Sequence, residues 1–170
     1  ATPLTPEAKF CQTKTGKKEI AENDMTVGQA EYARFYKSCV DVLKSRLPRD
    51  YISTSIKSYY QIQTGLSGVH FEWGFHGRPR DSFGVELHCE AKDGERNREI
   101  IRLCENSKAR LEEALGGPVV FQPDWGRKWA RLFVERPDAK MTDDLRDWAV
   151  DRMVKMIQVL QPELDKMKGG

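Results

Sequence analysis

Several kinds of protein are set aside by what this sequence lacks. No apolar run approaches the roughly 18 residues that a membrane-crossing helix needs, so no membrane partner is expected. No secretory leader is legible at the N-terminus. None of Cys11, Cys39, Cys89 and Cys104 forms a Cys-x-x-Cys pair, which argues against a zinc knuckle. There is no glycine-rich phosphate loop, no nucleophile elbow and no Ser/His/Asp order of the hydrolase kind. No internal repeat and no low-complexity tract is present. Charge is nearly balanced, with a net of +2, which is too small to require a nucleic-acid partner but leaves room for local basic patches.

What is present has the balance of a globular protein. The 170 residues are 39% hydrophobic and 32% charged, enough for one domain with its own core. Cys39, Cys89 and Cys104 sit among apolar positions and read as buried, reduced thiols, which points to the cytoplasm. Residues 1–25 are polar and aperiodic, with Pro3, Pro6, Gly16, Lys14, Lys17 and Lys18, and are expected to form a flexible arm or linker. Residues 26–170 are expected to form a single domain.

Periodicity places the elements. Tyr32, Phe35, Tyr36, Cys39, Val42, Leu43 and Leu47 recur at helical spacing, predicting a helix over about 28–46 that Pro48 stops. Three strands follow, over 58–64, 69–76 and 82–90, the last two joined by the turn Gly77-Arg78-Pro79-Arg80-Asp81. Asp93 caps a helix over about 94–115, ended by Gly116-Gly117-Pro118. A second hairpin pairs 119–122 with 128–135 across the turn Pro123-Asp124-Trp125-Gly126. Thr142 caps a final helix that Pro162 ends or kinks. The order is α-β-β-β-α-β-β-α. It predicts an α+β fold: an antiparallel sheet of about five strands with three helices packed on one face.

The first hairpin is cleanly two-faced. Val69, Phe71, Trp73 and Phe75 alternate with His70, Glu72, Gly74 and His76, while Phe83, Val85, Leu87 and Cys89 alternate with Ser82, Gly84, Glu86, His88 and Glu90. One register sets His70 opposite His88, Glu72 opposite Glu86 and Gly74 opposite Gly84. His70, Glu72, Glu86 and His88 then form a patch of imidazole and carboxylate that suits zinc or manganese. The plainer reading is a solvated sheet face, in which the opposed Glu72 and Glu86 need only a cation from a neighbouring strand. The glycine pair would let another backbone or a ligand approach. The helices need only the apolar side, so this polar side is expected to stay open.

Asp81 followed by Glu90-Ala91-Lys92 resembles the acidic and lysine pattern of restriction-type nucleases. These residues fall near opposite ends of one strand, about 30 Å apart, too far to share a metal ion. Basic residues gather instead near the hairpin tips: Arg78 and Arg80 at one, Arg127, Lys128 and Arg131 at the other, beside Trp125 and Trp129. Cations beside aromatics suit phosphate binding and base stacking.

From about Glu31 to Leu164 the chain resembles an uncharacterised prokaryotic family, domain of unknown function 4268. The resemblance rests on Gly68-Val69-His70-Phe71-Glu72-Trp73, on Val85-Glu86-Leu87, on Lys108 and Leu111-Glu112-Glu113 before Gly116-Gly117-Pro118, and on Leu145-Arg146-Asp147-Trp148. It implies a domain often found C-terminal to nuclease-like domains in restriction or defence settings, and it carries over no catalytic residue. The leading expectation is a non-catalytic accessory or recognition domain of such a system, contacting DNA or a nuclease-like partner domain and requiring no cofactor. The alternatives are a metal-dependent hydrolase or nuclease using the His/Glu patch, and an interaction module that dimerises through the open sheet face.

Overall fold

A computed structural model describes residues 24–169. The arm expected over residues 1–25 lies, up to residue 23, outside these described residues, as does Cys11. The chain divides into two compact units, the first ending at Ser58 and the second beginning at Tyr59.

The first unit is built on helix α1, Val27–Arg46. Thr26 opens it with a capping box: its hydroxyl accepts from the Gln29 amide at 3.1 Å, and the Gln29 side chain accepts from the Thr26 amide at 3.0 Å. Its apolar stripe buries Phe35, Tyr36, Cys39, Val40 and Leu43. The segment after Pro48 turns back along the helix, where the Tyr36 hydroxyl donates to the Ser58 carbonyl at 2.8 Å and Thr54 donates to the Ala33 carbonyl.

The second unit is α+β. Its strands are β1 Tyr59–Gln63, β2 Val69–His76, β3 Ser82–Cys89, β4 Val120–Trp125 and β5 Trp129–Arg136. They form one five-stranded sheet in the order β1-β2-β3-β5-β4, antiparallel throughout. The register of β2 on β3 is the expected one, with His70 opposite His88, Glu72 opposite Glu86 and Gly74 opposite Gly84. The apolar face carries Phe71, Trp73, Phe83, Val85, Leu87 and Leu132, all fully buried. Helix α4, Asp143–Lys166, lies against it: the Trp73 indole donates to the Ala149 carbonyl at 2.9 Å, and Trp148 meets Phe83 edge-on. None of the helices described is long and apolar enough to cross a membrane.

Three local features depart from the sequence pattern. The helix expected over 94–115 is two, α2 Gly94–Glu105 and α3 Lys108–Leu115. Asn106 and Ser107, both weak helix formers, bond back three residues to Leu103 and Cys104 instead of four. The apolar stripe still holds across the break, because Ile100, Ile101, Cys104, Ser107, Leu111 and Leu115 are all buried. Strand β4 extends through the segment 123–125 that composition marks as a turn, and a bulge falls between Gln122 and Trp125. β4 is an edge strand, where a bulge tolerates Pro123 and its missing N–H donor. The turn itself falls after Trp125, at Gly126, whose φ of +65° suits glycine. Helix α4 continues past Pro162, with the Gln161 side chain donating to the Thr64 carbonyl at 2.8 Å and Leu164 buried.

Candidate functional site

The polar face of the sheet is not open. His70, Glu72, Glu86 and His88 are all buried, and Glu86 is 0% exposed. The alternation of β2 and β3 sends these side chains to one side, and the β2/β3 register stacks them in opposed pairs. They bond to one another rather than to solvent. His88 lies between two carboxylates, with Nε2 at 2.8 Å from Glu86 Oε1 and Nδ1 at 3.0 Å from Glu90 Oε2. Its Nε2 is also 3.6 Å from Glu72 Oε2. Glu72 Oε1 lies 3.3 Å from His70 Nε2, and Gln61 of β1 donates to both. The outer oxygen of Glu86 lies 2.5 Å from His76 Nε2.

Burial by itself would raise the Glu86 carboxyl, but hydrogen bonds from His76 and His88 outweigh it and hold its pKa down to about 2. Burial would likewise lower the His88 imidazole. Its bonds to Glu86 and Glu90, with the charges of Glu72 and Glu86, push it up to about 9 instead. The bond to Glu86 raises His76, and the bond to His88 lowers Glu90.

The cation that the opposed glutamates call for comes from β5. Arg131 stands opposite His88 on β3, and its Nη1 lies 3.3 Å from Glu86 Oε1. Its Nε donates to Gln122 Oε1 at 2.6 Å. Its guanidinium lies over the rings of Trp125 and Phe133, at 4.4 Å and 4.6 Å from their centroids. Trp125 in turn meets His88 edge-on, at 4.7 Å between centroids. Trp125 and Arg131, expected to serve a nucleic-acid surface, therefore belong to the cluster. The β4 bulge is the reason: one extra residue on β4 reverses the alternation, so Trp125 joins Gln122 on the polar side. The gap expected between Gly74 and Gly84 is also filled, since a β-carbon at Gly84 would lie 3.1 Å from the Glu86 Cδ and closer still to Oε2.

The remaining basic residues do not form one patch. β3 runs from the Arg78–Arg80 turn to Cys89, and Cys89 stands opposite Ala130 at the start of β5. Arg78 and Arg80 thus lie at one end of the sheet, and Arg127 and Lys128 at the other, about 20 Å away at 3.3 Å per residue. All four are exposed. The Arg80 guanidinium lies over the Phe75 ring. At the far end a buried asparagine ties two segments together. The Asn97 side chain accepts from the Ala91 amide at 3.0 Å and donates to the Ala91 and Lys128 carbonyls, each at 2.9 Å. These bonds tie the residue before Lys92 to Lys128, which lies between Arg127 and the 41%-exposed Trp129 in the chain.

Lys92 and Asn97 carry no motif, and only the fold brings them to this end. His76 and Glu90 share the parity of the other cluster residues, which is the signal by which they were legible.

The second unit is an antiparallel α+β structure whose polar sheet face encloses a histidine–glutamate cluster. The chain belongs to the family described as Domain of unknown function (DUF4268), whose model matches residues 32–167. The comparisons with curated proteins and with solved structures gave no match.

Proposed function

We propose that the domain is a recognition module of a prokaryotic restriction or defence system, and that it contacts nucleic acid at the end of the sheet formed by the 91–93 loop and the β4–β5 turn. The observation that carries this reading is the Asn97 clamp. It ties the backbone beside Lys92 to Lys128, next to Arg127 and the partly exposed indole of Trp129, which packs on Trp125 at 5.8 Å between ring centroids. Three cations can neutralise neighbouring phosphates while the indole stacks on a base. The family resemblance supplies the nuclease-associated setting. Hydrolysis by His70, Glu72, Glu86 and His88 is the weaker reading, because a catalytic metal needs a position open to substrate, and these four side chains are buried.

The test is binding of labelled single-stranded and duplex DNA at several salt concentrations. A variant carrying Lys92→Ala, Arg127→Ala and Lys128→Ala should lower the slope of log affinity against log salt by roughly 0.7–0.9 per lost phosphate contact. Trp129→Ala should weaken single-stranded binding more than duplex binding. No binding at low salt would remove the nucleic-acid reading, and unchanged binding by the triple variant would remove this surface.

A further inference from the structure

We propose that the buried cluster is a divalent transition-metal site, with His88 Nε2, Glu72 Oε2 and Glu86 Oε1 as ligands. The argument stands apart from the DNA-contact reading, which uses other residues.

Glu72, Glu86 and His88 each offer one donor atom within 4.8 Å of the others, and His88 Nε2 is 2.8 Å from Glu86 Oε1 and 3.6 Å from Glu72 Oε2. Donors about 2.1 Å from one ion in tetrahedral or octahedral arrangement lie about 3.0–3.5 Å from each other. Both separations from His88 Nε2 lie close to those that a shared ion would impose.

The surroundings argue more strongly than the ligands. The second donor atom of each ligand is already held by another side chain: Glu72 Oε1 by Gln61, Glu86 Oε2 by His76, and His88 Nδ1 by Glu90. A carboxylate on the far nitrogen of a histidine is the usual way a metal-ligating imidazole is oriented. Here the same outer support extends to all three ligands.

The formal charges point the same way. The buried Glu72 and Glu86 and the partly exposed Glu90 bring three negative charges together, and Arg131 returns one positive charge. Two further positive charges balance the sum. One divalent ion supplies them and leaves the histidines neutral, as ligation requires; otherwise two of the histidines must carry them. Mixed imidazole and carboxylate donors suit manganese, iron or zinc. Among the described residues these donors are closed in, so the ion would be structural.

The full-length protein, stripped with chelator and dialysed, is titrated with Mn²⁺, Co²⁺ and Zn²⁺ separately. Binding is followed by metal analysis, by thermal unfolding and by the visible absorption of Co²⁺. The expected result is saturable binding near one ion per chain that raises the unfolding temperature. Glu72→Gln should abolish it, Glu90→Gln should weaken it 10- to 100-fold, and Arg127→Ala should leave it unchanged. Failure of the wild-type protein to bind any of the three ions overturns the proposal. So does undiminished binding by a folded Glu72→Gln variant. DNA binding by a wild-type protein that takes up none of the three ions would overturn this inference alone.

Discussion

The carboxylate of Glu86 occupies the space that a side chain at Gly84 would fill. A β-carbon there would come within 3.2 Å of the Glu86 Cγ and closer to its carboxylate. At Gly74, across the register, the nearest atoms are at 3.4 Å, an ordinary contact. The glycine pair therefore makes room for the cluster within the chain. Gly84→Ala should lower stability by about 1–3 kcal/mol, while Gly74→Ala should cost clearly less, as measured by denaturant unfolding. Equal losses at both positions would show that Glu86 does not need the Gly84 space.

Glu86 is bonded by His76, His88 and Arg131 with no exposure to solvent. Removing its charge leaves the Arg131 guanidinium and the His88 imidazolium without their anion and weakens the bond to His76. In chelator-treated protein, Glu86→Gln should lower unfolding free energy by roughly 3–5 kcal/mol. Glu135→Gln, on the exposed rim of the same face, should change it by less than about 0.5 kcal/mol. A mild effect at Glu86 would mean that the network contributes little to folding.

Asn97 is fully buried and makes three bonds to the backbone. Truncation leaves the Ala91 amide and two carbonyls without their partner. Asn97→Ala should cost about 2–3 kcal/mol. Amide exchange should rise first at Ala91 and in the 126–128 turn, ahead of the sheet. Exchange confined to helix α2 would contradict a clamping role.

Cys89 and Cys104 are fully buried, and burial raises both thiols, Cys104 to about 12. At pH 8 almost no thiolate forms, and reagent has no access. Native protein should show negligible alkylation at Cys89 and Cys104 by peptide mass analysis, with full modification in denaturant. Rapid native labelling of Cys104 would mean that helix α2 opens readily.

Much of this domain was legible before the structure because its signals are local. Strict alternation from Val69 to His76 and from Ser82 to Cys89 set the two faces, and the short turn between the strands allowed few registers. The observed register follows from them. The cap at Thr142 and the αL residue Gly116 were equally legible, because capping depends on near neighbours alone.

Long-range pairing decided the rest. The bulge in β4 reversed the parity of Trp125 only because β5 holds both sides of it in register, and no window of sequence reports that. Arg131 became a partner of Glu86 because β5 lies beside β3. The same antiparallel order sent the two basic turns to opposite ends of the sheet. Composition could say that histidine and glutamate alternate on one face. Whether that face met water depended on which side chains the fold laid over it, and the carboxylates closed onto imidazoles and a stacked guanidinium. The sequence alone thus determined which residues share a face; tertiary structure determined that the face is buried, because enclosing charge requires partners that only a completed sheet brings together.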